Sequence, residues 1–130
     1  MIEQTDLVVT EWIYIPPADP SAPGESITSD ISLEVMKKTA PTKKGLACRF
    51  SCKFVNGNDT ILLYVGEDSY VIDLTDSVDR NEIIRMIMNS YSKFNEKFEL
   101  RKLGTVLHNK KLPELDEAYI DADAIVPLLN

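Results

Sequence analysis

The sequence predicts an α+β fold, a four-stranded antiparallel sheet followed by one long amphipathic helix lying on one face. Three observations predict it. Residues 46–54 alternate with a period of two: Leu46, Cys48, Phe50, Cys52 and Phe54 are separated by Ala47, Arg49, Ser51 and Lys53. Successive side chains of a strand point to opposite faces, so this is the mark of a half-buried strand. Apolar residues then recur at three and four residues from Ile84 to Phe98, the period of a helix stripe. The strand patterns all precede the helix pattern rather than interleaving with it, which separates α+β from α/β.

The elements follow in order. Leu7 to Ile15 is rich in β-branched and aromatic residues and ends at Pro16-Pro17, which cannot continue a ladder. Pro16–Ser26 holds four prolines and a glycine and is expected to be a long loop or crossover. Ile31, Leu33 and Val35 alternate with Ser32 and Glu34 as a second strand, and Ala40–Gly45 reads as a turn into the third. Asn56-Gly57-Asn58-Asp59 is a tight-turn signal, because Asn and Gly tolerate positive φ. Thr60–Val65 returns antiparallel, with a kink or bulge expected at Gly66-Glu67-Asp68 before Tyr70–Leu74. Asp79 and Glu82 have the spacing of a capping box, and the stripe Ile84, Ile87, Met88, Tyr91, Phe94, Phe98 runs toward a stop at Gly104.

At 130 residues the chain suits one domain, 1–130, able to bury a core without staples. The net charge of −7 is laid out in blocks. Residues 1–36 carry seven acids and no base, 37–53 six bases and no acid, and 54–79 six acids and no base. Neighbouring strands of opposite sign are expected to pair across the sheet. The acidic balance argues against nucleic acid as a partner, which would need a cationic footprint. No apolar run approaches the roughly 20 residues of a membrane span, and the N-terminus carries acids before any base, so no membrane role and a cytoplasmic location are expected. Cys48 and Cys52 lie four apart on one strand face, about 13 Å at roughly 3.3 Å per residue. A disulfide needs about 7 Å, so they are expected as small core residues.

The chemistry-bearing residues point away from an enzyme. His108 sits in a polar Leu-His-Asn-Lys-Lys turn without a triad context, and no glycine-rich phosphate loop occurs. Asp116, Glu117, Asp121 and Asp123 lack the central Gly and terminal Glu of an EF-hand, so a solvated acidic edge or docking surface outweighs a metal site. No catalytic residue, metal or cofactor is expected.

Strand, crossover, three strands and a helix in an acidic chain of this size resemble the SecB export-chaperone family and its SecB-like relatives. Three stretches carry the resemblance: Ile13–Pro20 (IYIPPADP), Asp30–Leu74 (DISLEV, LACRFSCKF and TILLYV…YVIDL), and Leu112–Leu128 (LPELDEAYIDADAIVPL). The last is similar to the family's segment after its main helix, with a second helix starting near Asp123-Ala124 and cut short by Pro127. The resemblance implies a homo-oligomer, dimer or tetramer, that holds non-native polypeptides in apolar surface grooves without ATP. Trp12, Tyr14, Met36, Tyr64 and Tyr70 are the expected peptide-binding residues. The family docks to the SecA motor through acids on the sheet face, for which Asp30 and Glu34 are the candidates here. The rival expectation is a non-enzymatic interaction module, a phage or mobile-element adaptor that binds one folded protein partner through the same sheet.

Overall fold

A computed structural model describes residues 2–17 and 27–129. Five strands come first: β1 (Ile2–Gln4), β2 (Val8–Tyr14), β3 (Ile27–Thr39), β4 (Lys43–Asn56) and β5 (Asp59–Asp73). The helices α1 (Arg80–Arg101) and α2 (Ala122–Leu129) follow, with a 3-10 turn at Glu117–Tyr119 between them. The sheet runs β1-β5-β4-β3, all antiparallel, and β2 lies beyond β1 along the same edge of β5. The chain therefore leaves β2 at one edge and re-enters as β3 at the other, the connection of a Greek key. The α+β class and the antiparallel sheet stand as expected, with β1 as an addition. The crossover expected over Pro16–Ser26 lies outside the described residues from 18 to 26.

Local chemistry sets the element ends. The β4–β5 hairpin closes through a two-residue loop whose Gly57 has φ +62°, a conformation most side chains resist. Asp79 caps α1 by accepting the Glu82 backbone N–H at 2.8 Å, and Gly104 at φ +83° follows the helix as its stop. The break expected at Gly66–Asp68 is not there, for β5 runs through it unbroken. The irregularities fall elsewhere. Val9 faces Gly66 while Glu11 faces Val65, so Thr10 is an extra residue on β2. Phe54 faces Leu62 while Val55 faces Thr60, so Ile61 is an extra residue on β5. Gly66 serves close packing instead, since a Cβ there would sit 2.8 Å from the Phe94 ring. Pro127 lies inside α2, which runs on to Leu129.

The helix lies on one face of the sheet, and the two faces differ accordingly. Toward α1 stand Phe50, Phe54, Tyr64, Tyr70, Leu62 and Ile72, all at most 1% exposed. They meet the helix stripe in a ring ladder, with Tyr64 stacked on Phe94 at 4.1 Å and Phe54 on Phe98 at 5.4 Å. The hydroxyls of Tyr64 and Tyr70 donate to the helix carbonyls of Phe94 and Met86, so their polar ends are satisfied inside the core. The outer face carries the charge blocks in register: Asp30 opposite Lys53, Glu34 opposite Arg49 opposite Glu67, and Lys43 opposite Asp73. The acidic–basic–acidic alternation of the sequence is thus a set of cross-strand rows.

Candidate functional site: a groove along an open sheet edge

The hairpin between β3 and β4 fixes which backbone groups of β3 are free. Ala40 and Lys43 exchange both N–H···O bonds, so they form a hydrogen-bonded pair. Such pairs alternate along an antiparallel ladder. Lys38, Met36, Glu34, Ser32 and Asp30 therefore bond to β4. Ser29, Ile31, Leu33, Val35 and Lys37 turn their N–H and C=O groups to the outer side of β3, where no strand pairs among the described residues. Those same alternate positions place Ile31, Leu33 and Val35 on the helix side, packed partly against the core. One row of residues thus offers apolar side chains and free backbone together.

The segment after α1 forms the opposite wall. Leu112, Leu115 and Ile120 are buried and the Tyr91 hydroxyl donates to the Pro113 carbonyl, which anchors the segment to α1. The Asp116 carboxylate caps the 3-10 turn by accepting the Ala118 N–H at 3.0 Å. That turn carries Tyr119, 78% exposed and the most exposed large apolar side chain of the described residues. Between strand and segment lies a groove of about 420 Å³. Ile31, Leu33, Phe50, Leu115 and Tyr119 give it an apolar lining, and Asp30 and Glu114 stand with it. A wider hollow of about 940 Å³ beside the first half of α1 mixes Tyr70, Ile84, Met86 and Met88 with Gln4, Arg80, Asn81, Arg85, Asn89 and Glu117.

The residues expected from the sequence lie elsewhere. Trp12 and Tyr14 are half-buried on the helix side of β2. The Trp12 ring meets Tyr64 edge-on at 5.3 Å with Arg101 above it, and the Tyr14 hydroxyl accepts the Val106 N–H at 3.0 Å. Tyr64 and Tyr70 are core, 0% and 1% exposed, with Tyr70 also among the residues of the wider hollow; burial pushes both phenols well above their usual pKa. Met36 is exposed but on the outer face, opposite Ala47. The five do not form one site, and none lines the groove. Asp30 and Glu34 share the outer face of β3. Glu34 lies in the row with Arg49, whose guanidinium Nε stands 3.7 Å from Glu67. Asp30 reaches the edge instead, where its carboxylate accepts the Ile31 N–H at 3.1 Å. Ile31, Leu33, Leu115 and Tyr119 were missed as site residues. The strand alternation was visible, but not that this strand forms an edge.

The remaining chemistry is quiet. Cys48 and Cys52 are free, buried thiols, each pushed up to about 12 chiefly by desolvation. Asp123 pairs with Arg80 at 3.3 Å, and among the described residues no group of three or more His, Cys, Asp or Glu could hold a metal. No helix of the described residues is long and apolar enough to cross a membrane.

Neither a protein-family model nor a curated protein matches the sequence. Solved structures do match. A Mycobacterium tuberculosis SecB-like chaperone, solved in complex with a ChAD peptide from an antitoxin, superposes with a TM-score of 0.58 at 13% identity, over 88% of this chain and 90% of its own. A protein of unknown function from Streptococcus agalactiae gives a TM-score of 0.47 at 8% identity, over 89% of this chain and 97% of its own. With strand order, helix placement and the first of these superpositions in agreement, the chain has a SecB-like fold.

Proposed function

We propose that this protein is a non-enzymatic SecB-like binding protein that takes up an extended, apolar polypeptide segment in the groove beside β3. One observation carries the reading: Ile31 and Leu33 line the groove with Leu115 and Tyr119, and their backbone groups at the edge are taken by no neighbouring strand among the described residues. An extended segment can pair its backbone with such an edge while alternate side chains enter the groove. Asp30 and Glu114 are the charged residues of the lining, so the segment is one without acidic residues where it passes them. Binding by backbone and by apolar area makes little demand on sequence, which suits non-native clients. The peptide complex of the mycobacterial neighbour supports polypeptide as the ligand class.

The test is fluorescence anisotropy with a labelled small protein in its reduced, unfolded form and in its folded form. Preference for the unfolded form, weakened by Leu33→Asp, is expected. Equal binding of both forms would remove the reading. The neighbour's single antitoxin peptide favours a second reading, in which the same groove serves one dedicated partner. A stoichiometric partner in a pull-down, in place of many clients, decides for it. An oligomer, dimer or tetramer, belongs to the same proposal and is read by light scattering.

A further inference from the structure

We infer that Asp30 is a guard on the β3 edge: its carboxylate takes the Ile31 N–H and keeps another strand from pairing there. The inference rests on the proposed groove for its functional consequence, but its geometry stands apart from that reading. The Ile31 N–H is one of the groups that the β3–β4 register turns outward. An outward N–H on an exposed edge is normally left to water, or to the next strand that arrives. Here it meets the Asp30 Oδ1 at 3.1 Å. Asp30 itself belongs to the β4-bonded set, opposite Lys53, so its backbone serves the sheet while its side chain serves the free side.

The position of the guard matters. Ile31 is in the middle of the groove lining, between Ser29 and Leu33, and an incoming strand would have its carbonyl at this N–H if it followed the edge. That carbonyl must displace a carboxylate, and a charged acceptor makes the stronger hydrogen bond. Strand addition at the centre of the groove is therefore opposed, while side-chain entry beside it is not. The device explains how a 13-residue edge strand with an apolar flank can stay open without inviting another copy of itself. It selects for segments whose side chains gain enough in the groove to offset the exchange of acceptors.

Asp30→Asn and Asp30→Ala separate the hydrogen bond from the charge, because the Asn side-chain oxygen still accepts while Ala offers nothing. Amide hydrogen exchange of Ile31 in the free protein is the first readout. Slow exchange in the wild type and in Asp30→Asn, with roughly tenfold faster exchange in Asp30→Ala, is expected from loss of one charge-assisted bond. The second readout is anisotropy with a fluorescein-labelled peptide of alternating Val and Thr, beside the same peptide N-methylated at alternate residues. Asp30→Ala is expected to bind the unmodified peptide several-fold more tightly than wild type and to gain nothing for the methylated one. Equal Ile31 exchange in all three proteins overturns the guard. So does tighter binding by Asp30→Asn equal to that by Asp30→Ala, which would assign the effect to charge alone. If no variant binds either peptide, the groove reading fails, and the exchange rates alone decide whether Asp30 guards the edge.

Discussion

The two edges of the sheet are built to opposite specifications. Along β5 the edge is divided into two short strands, β1 and β2, separated by residues 5–7 and distorted again by the extra Thr10. At the division sits Asp68, 1% exposed on the helix face. Its carboxylate accepts from Gln4 Nε2 at 2.6 Å, Ser90 Oγ at 2.9 Å and Thr5 Oγ1 at 3.2 Å, joining the N-terminal strand, β5 and α1 in one network. The other edge, β3, is a 13-residue strand in unbroken register, with a groove beside it and the Asp30 carboxylate on its outward Ile31 N–H. Short strands, bulges and polar ties are the usual means of making an edge useless for pairing. Their concentration at one edge shows that an open edge is not the default of this fold. The long regular edge is left available, which is why the groove beside it is the site to test.

Breaking the closed edge should have the largest effect. Asp68→Ala leaves the buried Ser90 hydroxyl without its acceptor and takes one acceptor each from Gln4, which keeps the Tyr70 and Ser90 hydroxyls, and Thr5, which keeps the Ser69 carbonyl. A cost of about 2–3 kcal/mol is expected, because orphaned buried polar groups lose their full desolvation energy. For a domain of this size that is a fall of roughly 10 °C in Tm. Urea denaturation measures it, and a loss under about 1 kcal/mol would mean that the network is not what holds this edge.

Removing the bulge should make the closed edge resemble the open one. Thr10 has no partner in the register, and without it Val9 and Glu11 would face Gly66 and Val65 in unbroken sequence, each still on its present face. Deletion of Thr10 should therefore cost no more than about 1 kcal/mol, the bulge being a local feature and the apolar pattern unchanged. The straightened edge should then self-associate, seen as concentration-dependent light scattering. A deletion variant with the same assembly state as wild type would show that the bulge does not protect this edge.

On the open side the expected change is in binding rather than stability. Tyr119 is largely exposed, so Tyr119→Ser should alter stability by less than about 0.5 kcal/mol. As an aromatic wall of the groove it should contribute about 1 kcal/mol to an apolar segment, a loss of roughly fivefold in affinity by anisotropy. Unchanged affinity would move the site away from this wall.

Much of this architecture is legible in the chain, and the illegible part has a common cause. The period-two run from Leu46 to Phe54 and the period-3.6 stripe from Ile84 to Phe98 are local signals, and the elements they predict are present. The charge blocks also translate directly into rows, because hairpin register follows from short turns. Edge identity does not follow in this way. Nothing in Ile31-Ser32-Leu33-Glu34-Val35 says that one side of it will lack a neighbour, since that depends on a crossover and on where β2 lands. The groove joins residues 29–33 to residues 113–119, a pairing no local pattern encodes. Tyr64 and Tyr70 illustrate the same limit. As aromatic residues in a strand they suit a binding surface, until α1 is seen to cover the face they share with Phe50 and Phe54.

If stability is decided at the edges and in the ring ladder, a charge row between the two central strands should matter least, and Lys43–Asp73 provides that control. Lys43 on β4 bonds the Asp73 carboxylate on β5, with both side chains about half exposed. The hydrogen bond between them is the main cause of both shifts, raising Lys43 above its ordinary 10.5 and lowering Asp73 below its ordinary 3.8. A lowered acid contributes stability that is present above its ordinary value and lost as pH falls through the folded value. A raised base contributes stability that is present below its ordinary value and lost as pH climbs through the folded one. The pair therefore contributes across the whole neutral range and declines only in strong acid, below 3.8, or in strong base, above 10.5. Asp73→Asn should remove the acid limb of this dependence in urea titrations, by the smallest amount of the four changes, and the difference from wild type should close in high salt. An effect matching that of Asp68→Ala would mean that the outer charge rows, and not the tied edge, hold the sheet in register.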